Sequence, residues 1–525
     1  MSMTNVSRRS FIGLAAAGMA AASLGFGVEA PQIALADGEQ KLVVSLSSSP
    51  SKLDPIHYSG TYESQIIGQV TDRLIEYNDA LDTFEPSLAT EWTVSDDGVT
   101  YVFKIRQGVK FQNGQYVKGR ELTAEDVAFS LNRSHQYSDN NRLAMLNVAE
   151  VTGDYEVTCT LEGPNASFLT ALTDAGNSIV AKEEVDGWGD SFGIHLTGTG
   201  AFTLEEFNLD ENAILKANPD YFLGKPNIDT LEIVFISDPT QAANKVVAGE
   251  VDIATDLMGE AIETVRNSST AEIWETQALQ INYIRFNMRH EAMQDVRVRK
   301  AMIEAVDFDA VRSALYQYND AVAAYLPLPY GSWGYDAQYE ELFPGYDPAD
   351  AMELMKEAGW EKGFDITIYV SNTEERRTLA TLLMSYWSVL NINATVNSSE
   401  WGTFSDTVCS GNAPVYAMSW SWYPDPYFFL NKLFSSDETS AIGNGAGYVK
   451  PEVDDLLTKA FETTDQEVRK AYYGEVIKIV MEDCAGIYYA NPTKFYGVNP
   501  RVKDFYQRTD GTLRFITPER NTYVE

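Results

Sequence analysis

Cysteine, histidine and basic residues are all scarce in this 525-residue chain, and each scarcity removes a class of function. The three cysteines, Cys159, Cys409 and Cys484, include no CxxC pair. They supply neither a disulfide framework nor a zinc site, although a Cys409 to Cys484 bridge stays open for an exported protein. The four histidines, His57, His135, His195 and His290, never fall at metal-ligand spacing. Lysine and arginine number 39 against 76 aspartates and glutamates, a formal charge of -37. Nucleic acid is therefore excluded as the main partner, because phosphate binding needs clustered cations; the acidity reads as a soluble, self-repelling surface. There is no GxSxG elbow, Walker loop or HExxH pair. The run Gly443-Asn444-Gly445-Ala446-Gly447 lacks the GxGxxG register and a framing strand and helix, so it reads as a flexible loop. The expectation is a protein that is not an enzyme, with no catalytic residues, no metal and no cofactor.

What is present is a globular composition, 44% hydrophobic and 12% aromatic, which argues against overall disorder. The length exceeds one ordinary core and predicts about two to four domains. At the amino terminus, Ser7-Arg8-Arg9-Ser10-Phe11-Ile12 resembles a twin-arginine export signal. An apolar run over 14–26 and the small-residue site Ala34-Leu35-Ala36 follow it. A signal peptide over 1–36 is expected, and with it export to the periplasm or the outer face of the cell envelope. No cysteine precedes Cys159, so a lipidated cysteine anchor is not expected. Beyond this segment no stretch is long and apolar enough to span a membrane.

Residues 197–252 read as a compact β-α-β unit. Gly198 and Gly200 allow a tight backbone path into a strand, and two prolines fix the loop 218–226. An apolar strand over 231–236 leads to Asp238, which caps a helix beginning at Pro239 and stopping at Gly249. Elsewhere, 41–46 alternates toward a strand, Ser95-Asp96-Asp97-Gly98 is a hairpin turn, and Thr123 with Asp126 forms a capping box. Strands over 364–370 and 392–396 flank a helix with the apolar stripe Leu379, Leu382, Leu383, Tyr386 and Leu390. Such alternation predicts a partly parallel sheet covered by helices, the α/β class.

The strings EPSLATEW, SDDGVTYVFKIRQGVKFQNG, LTAEDVAFSLNR, GTGAFTLEEF, NPDYFLGKP and DPTQAANKVVAGEVDIA resemble, in order and spacing, the extracellular solute-binding proteins of the oligopeptide/dipeptide/nickel type that deliver ligands to ABC importers. The resemblance implies a periplasmic-binding-protein-like fold, two lobes around a cleft with an extra inserted domain. Its expected division is a first lobe from 37–72, 195–298 and 495–525, an inserted second domain over 73–194, and a second lobe over 299–494. It further implies a monomer that binds a small solute, with short peptides first, and hands it to a membrane permease. A nickel or metal-chelate ligand, another non-peptide solute, or a sensor role remain alternatives. A secreted hydrolase would need an activated nucleophile that the chain does not offer.

The same resemblance points to site residues. Tyr58, Ser59, Gly60 and Thr61 stand in the loop that borders the ligand in the family. Trp401 and the run 419–426, with Trp420, Trp422, Tyr423 and Asp425, offer rigid aromatic walls and a carboxylate. In peptide-binding relatives an aspartate directly before the tyrosine holds the peptide ammonium; here Trp422 occupies that position. A peptide would then need another carboxylate, with Asp425 the candidate, or the ligand is not a peptide. Arg376 and Arg377 begin a helix where relatives place an arginine for the ligand carboxylate, the rival reading being solvated surface arginines.

Overall fold

The computed structural model describes residues 38–525 apart from Ser59; the signal segment expected over 1–36 lies outside them. Strand Lys41–Leu46 alternates with Leu42, Val44 and Leu46 buried and sits between two parallel neighbours, Thr230–Phe235 and Ile253–Leu257. The connecting helix Pro239–Ala248 starts where Asp238 accepts from the Thr240 and Gln241 amides, at 2.8 and 3.0 Å. It stops at Gly249, whose φ of 75° is left-handed. Antiparallel strands Asn212–Ala217 and Phe202–Asn208 extend this side of the sheet.

The glycines before Phe202 have a second duty. A Cβ on Gly198 would lie 2.5 Å from the Val70 carbonyl oxygen, and one on Gly200 2.5 Å from that of Gln69. Glycine alone lets this segment lie against the end of helix Thr61–Val70, where the Gly200 amide donates to Val70 O at 2.9 Å. That helix lines the cavity described below.

The other half of the sheet is built around strand Gln280–Phe286, antiparallel to Val415–Ser421 and to Gly486–Val498. Val415–Ser421 runs parallel to Asp365–Ser371, itself parallel to Asn393–Ser399. The thirteen-residue strand Gly486–Val498 joins the halves: its first part pairs with Gln280–Phe286, its last with Glu272–Gln277 and Ile253–Leu257. The result is one twelve-stranded sheet, ten strands on a single hydrogen-bonded path and two pairing beside it with Gly486–Val498. Ile284, Phe286, Met293 and Val298 pack in one cluster with Leu379, Leu383 and Trp387, so 280–298, expected in the first lobe, shares a core with residues expected in the second.

Between Leu74 and Ala181 lies a separate hydrophobic cluster over a four-stranded antiparallel sheet of Ala89–Val94, Thr100–Ile105, Glu156–Leu161 and Leu146–Gly153. Its first hairpin closes with Gly98 at φ 69° and Ser95 N donating to Thr100 O at 2.9 Å. Helix Ala124–Tyr137 covers it, and the Asp126 carboxylate accepts from both the Thr123 amide and hydroxyl, at 2.9 and 3.0 Å.

Two expectations from the sequence are corrected here. The loop 443–447 is not flexible: Asn444 is fully buried, donating to Ser435 O and Tyr448 O at 2.8 Å each and accepting from Tyr448 N. A Cβ on Gly445 would lie 2.5 Å from Val408 O, so this glycine serves close packing. Cys409 and Cys484 are not bridged; all three cysteines are free thiols, and Cys484 is buried in the second-lobe core.

Candidate ligand site

A cavity of about 380 Å³ opens where five stretches of chain meet: the loop and helix around Tyr58 to Tyr77, Arg142, the segment 173–175, the aromatic run 421–424, and the carboxy-terminal 508–512. Asp174 is its hub. Tyr58 Oη donates to Asp174 Oδ1 at 2.6 Å, Tyr423 Oη donates to Oδ2, Arg142 Nη1 reaches Oδ2 at 3.1 Å, and the Gly176 amide donates to Oδ1 at 2.7 Å. Burial, reinforced by the Asp174 charge, raises both phenols well above their ordinary range, so they stay neutral donors. The Arg142 guanidinium stacks 3.9 Å from the centroid of the Tyr58 ring, and its Nε is buried without a hydrogen-bond partner among the described residues.

Two further ion pairs line the cavity. Arg73 Nε donates to Glu76 Oε1 at 2.6 Å. Arg508 grips Asp510 with two nitrogens, at 3.2 and 2.8 Å, while its Nη1 donates to Tyr77 O at 3.2 Å. Burial alone would raise the Asp510 carboxyl, but the Arg508 charge and hydrogen bonds outweigh it and hold it below its ordinary range. Three arginines and three carboxylates thus line one cavity. Such a wall is neutral in sum and strongly dipolar, suited to a solute with charges of both signs.

Of the residues expected from the sequence, Tyr58, Gly60, Thr61, Trp422 and Tyr423 line this cavity; Ser59 lies outside the described residues. Trp422 is about half exposed, in near-parallel contact with Trp420 at 5.9 Å and Phe428 at 5.7 Å. Trp420 supports it from behind, its Nε1 donating to Phe428 O at 2.8 Å, and does not line the cavity.

Four expected residues are elsewhere. Asp425 is 1% exposed, with both oxygens 2.9 Å from Arg469 Nη2 and Oδ1 accepting from the Tyr427 amide. Its acceptor capacity is taken, so it is not an open anchor for an amine. Trp401 is exposed at the start of helix Trp401–Cys409, against Phe404. Arg376 is buried and donates to Tyr489 Oη at 2.5 Å. Arg377 is a surface arginine paired with Glu374 at 2.9 Å. The sequence reading missed Arg73, Glu76, Arg142, Asp174, Arg508 and Asp510. The short spacings Arg73 to Glu76 and Arg508 to Asp510 were a local hint of ion pairs, whereas nothing near Asp174 announces its partners.

The comparisons with known proteins agree with this architecture. Residues 83–441 match the family described as bacterial extracellular solute-binding proteins, family 5 Middle. The chain is 28% identical over 511 residues to the dipeptide-binding protein of Escherichia coli (strain K12), covering 92% of this chain and 95% of that protein. Among solved structures it resembles HbpA2 from Haemophilus parasuis, with a TM-score of 0.86 and 27% identity over 92% of this chain and 100% of the other. It also resembles the periplasmic binding protein DppA from Helicobacter pylori in complex with the peptide STSA, with a TM-score of 0.72 and 26% identity over 92% and 98% of the two chains. No helix among the described residues is long and apolar enough to cross a membrane. Fold, cleft and family match lead to one conclusion: the chain belongs to the bacterial extracellular solute-binding proteins of family 5.

Proposed function

We propose that this protein is an exported, monomeric receptor that closes around a short peptide and delivers it to the permease of an ABC importer. The observation that carries the reading is the cavity wall of three arginines and three carboxylates contributed from four distant stretches of chain. A zwitterionic peptide presents an ammonium and a carboxylate a few bonds apart, and such a wall can solvate both. A volume of about 380 Å³ falls in the range of small-molecule sites. The dipeptide-binding and peptide-complexed relatives support the same ligand class.

The work done is differential affinity. Ligand binds the closed arrangement more tightly than the open one and so shifts the population toward closure. With Trp422 in place of the usual aspartate, the peptide ammonium rests on the Trp422 ring by cation–π attraction. Native mass spectrometry of the mature protein, purified without denaturation from rich medium, tests this. A ladder of added masses matching di- and tripeptides is expected; a single non-peptide mass would overturn the ligand class while leaving the receptor role standing.

A further inference from the structure

Three tyrosines and one arginine end inside the second lobe with polar atoms unpaired. Strand register sets Arg285 opposite Tyr416 on one side and Gly486 on the other, and Tyr283 opposite Tyr488. Tyr283 and Arg285 are two residues apart on one strand and so share a face. All four side chains are fully buried. The three tyrosines pack with Phe429, Leu433, Tyr473 and Ile477 from the helices above. The hydroxyls of Tyr283, Tyr416 and Tyr488 and the Nε of Arg285 have no hydrogen-bond partner among the described residues.

The arginine is the sharper anomaly. Its Nη1 donates to Leu433 O at 2.8 Å and its Nη2 points to Asn444 Oδ1 at 3.5 Å, both neutral acceptors, and its guanidinium lies 4.7 Å from the Phe434 centroid. Among the described residues no carboxylate comes within the 4.0 Å of a salt bridge. A buried cation compensated only by neutral groups is costly, and unpaired buried hydroxyls add to the cost. Gly486 lets the backbone pass close to these groups: a Cβ there would lie 2.9 Å from both Arg285 Cδ and Ile284 O and 3.5 Å from Tyr488 Oη. Burial raises all three phenols, so each remains an O–H donor.

We propose that this cluster of unpaired polar groups binds a small monovalent anion of the chloride class, held by the Arg285 guanidinium and the tyrosine hydroxyls. The site is separate from the ligand cavity, since none of the four residues lines it. Water could accept from the hydroxyls, but it would leave the Arg285 charge uncompensated; an anion answers both.

Crystals of the mature protein grown in bromide, with data collected at the bromine absorption edge, locate such an ion directly. An anomalous peak within hydrogen-bond reach of Arg285 Nε and at least two of the hydroxyls is expected. Density there without anomalous signal, or peaks confined to the surface as an adventitious ion only, would overturn the proposal. Thermal unfolding in sodium chloride and sodium gluconate at equal ionic strength gives a second readout. The midpoint should be higher in chloride by about 2 °C or more, because an ion bound to the folded state stabilises it, and Tyr488→Phe should abolish the difference. If no anion binds, the midpoints coincide in the two salts. Tyr488→Phe then removes an unpaired buried hydroxyl at no loss of stability.

Discussion

The Tyr423 hydroxyl donates to the Asp174 carboxylate, joining the aromatic run of the second lobe to the short segment that also receives Tyr58 and Arg142. The two residues are 249 positions apart, and their bond closes one side of the cavity. Tyr423→Phe keeps the ring and removes only this tie, while Asp174 retains Tyr58, Arg142 and the Gly176 amide. A hydrogen bond to a charged group contributes about 1.5–3 kcal/mol. Part of it should appear as weaker ligand affinity, by about tenfold. Titration calorimetry with a bound peptide identified from the purified protein would measure it. An unchanged Kd would mean that the bond plays no part in closure.

The buried pair Asp425 and Arg469 calls for a different outcome. Both side chains are almost fully buried, and removal of one partner leaves an uncompensated charge. Asp425→Asn should lower unfolding stability by about 3–5 kcal/mol in urea titration, while the folded fraction binds peptide as before. A variant that folds normally and loses binding would instead restore Asp425 as the ligand's anchor.

The contrast between these two aspartates marks the limit of what the sequence reveals. Asp238, Pro239 and Gly249 fix a helix from both ends because capping is local, and the structure has that helix where the residues place it. The turn at Gly98 is legible for the same reason. Asp425 looked like an open carboxylate in a proline-bounded turn because its partner, Arg469, comes from a helix 44 residues away. Strand Gln280–Phe286 was legible as a strand, but its lobe depended on pairing with Val415–Ser421, a long-range choice that periodicity does not encode. Asp174 and Arg142 are isolated in the sequence, and only folding brings them to Tyr58 and Tyr423.

The stripe read on helix Glu374–Trp387 refines in the same way. Leu379 and Leu383 are fully buried, whereas Leu382 is only partly so. Leu383→Ala should cost about 2–5 kcal/mol, and Leu382→Ala distinctly less. Denaturant titration of the two variants side by side measures the difference; equal losses would contradict the packing of this helix.

Acid should expose the Arg508–Asp510 pair. Burial tends to raise the Asp510 carboxyl, but Arg508 and the Thr512 amide hold it below its ordinary range. The folded state therefore binds this proton more weakly than the unfolded chain does. The stabilisation is complete above the unfolded value, near 3.9, and is lost as pH falls through the lower folded value. Asp510→Asn should be less stable at neutral pH, and its stability should fall less steeply below about pH 4 than that of the unaltered protein. Parallel slopes in urea titrations across this range would remove Asp510 from the account.

Two tryptophans that looked alike in the sequence should now separate. Trp422 lines the cavity, backed by Trp420 and Phe428, while Trp401 is an exposed helix-start residue that does not reach it. Trp422→Ala removes a large preformed apolar surface and the ring available to a ligand ammonium, a loss of about 2 kcal/mol or more if the ring is a central contact. Its Kd for peptide should rise at least about tenfold. Because the ring is about half exposed, its unfolding midpoint should move little. Trp401→Ala should leave both affinity and midpoint near their original values. If Trp401→Ala weakened binding and Trp422→Ala did not, the ligand would occupy a surface other than this cavity, and the reading of Asp174 as its hub would fall with it.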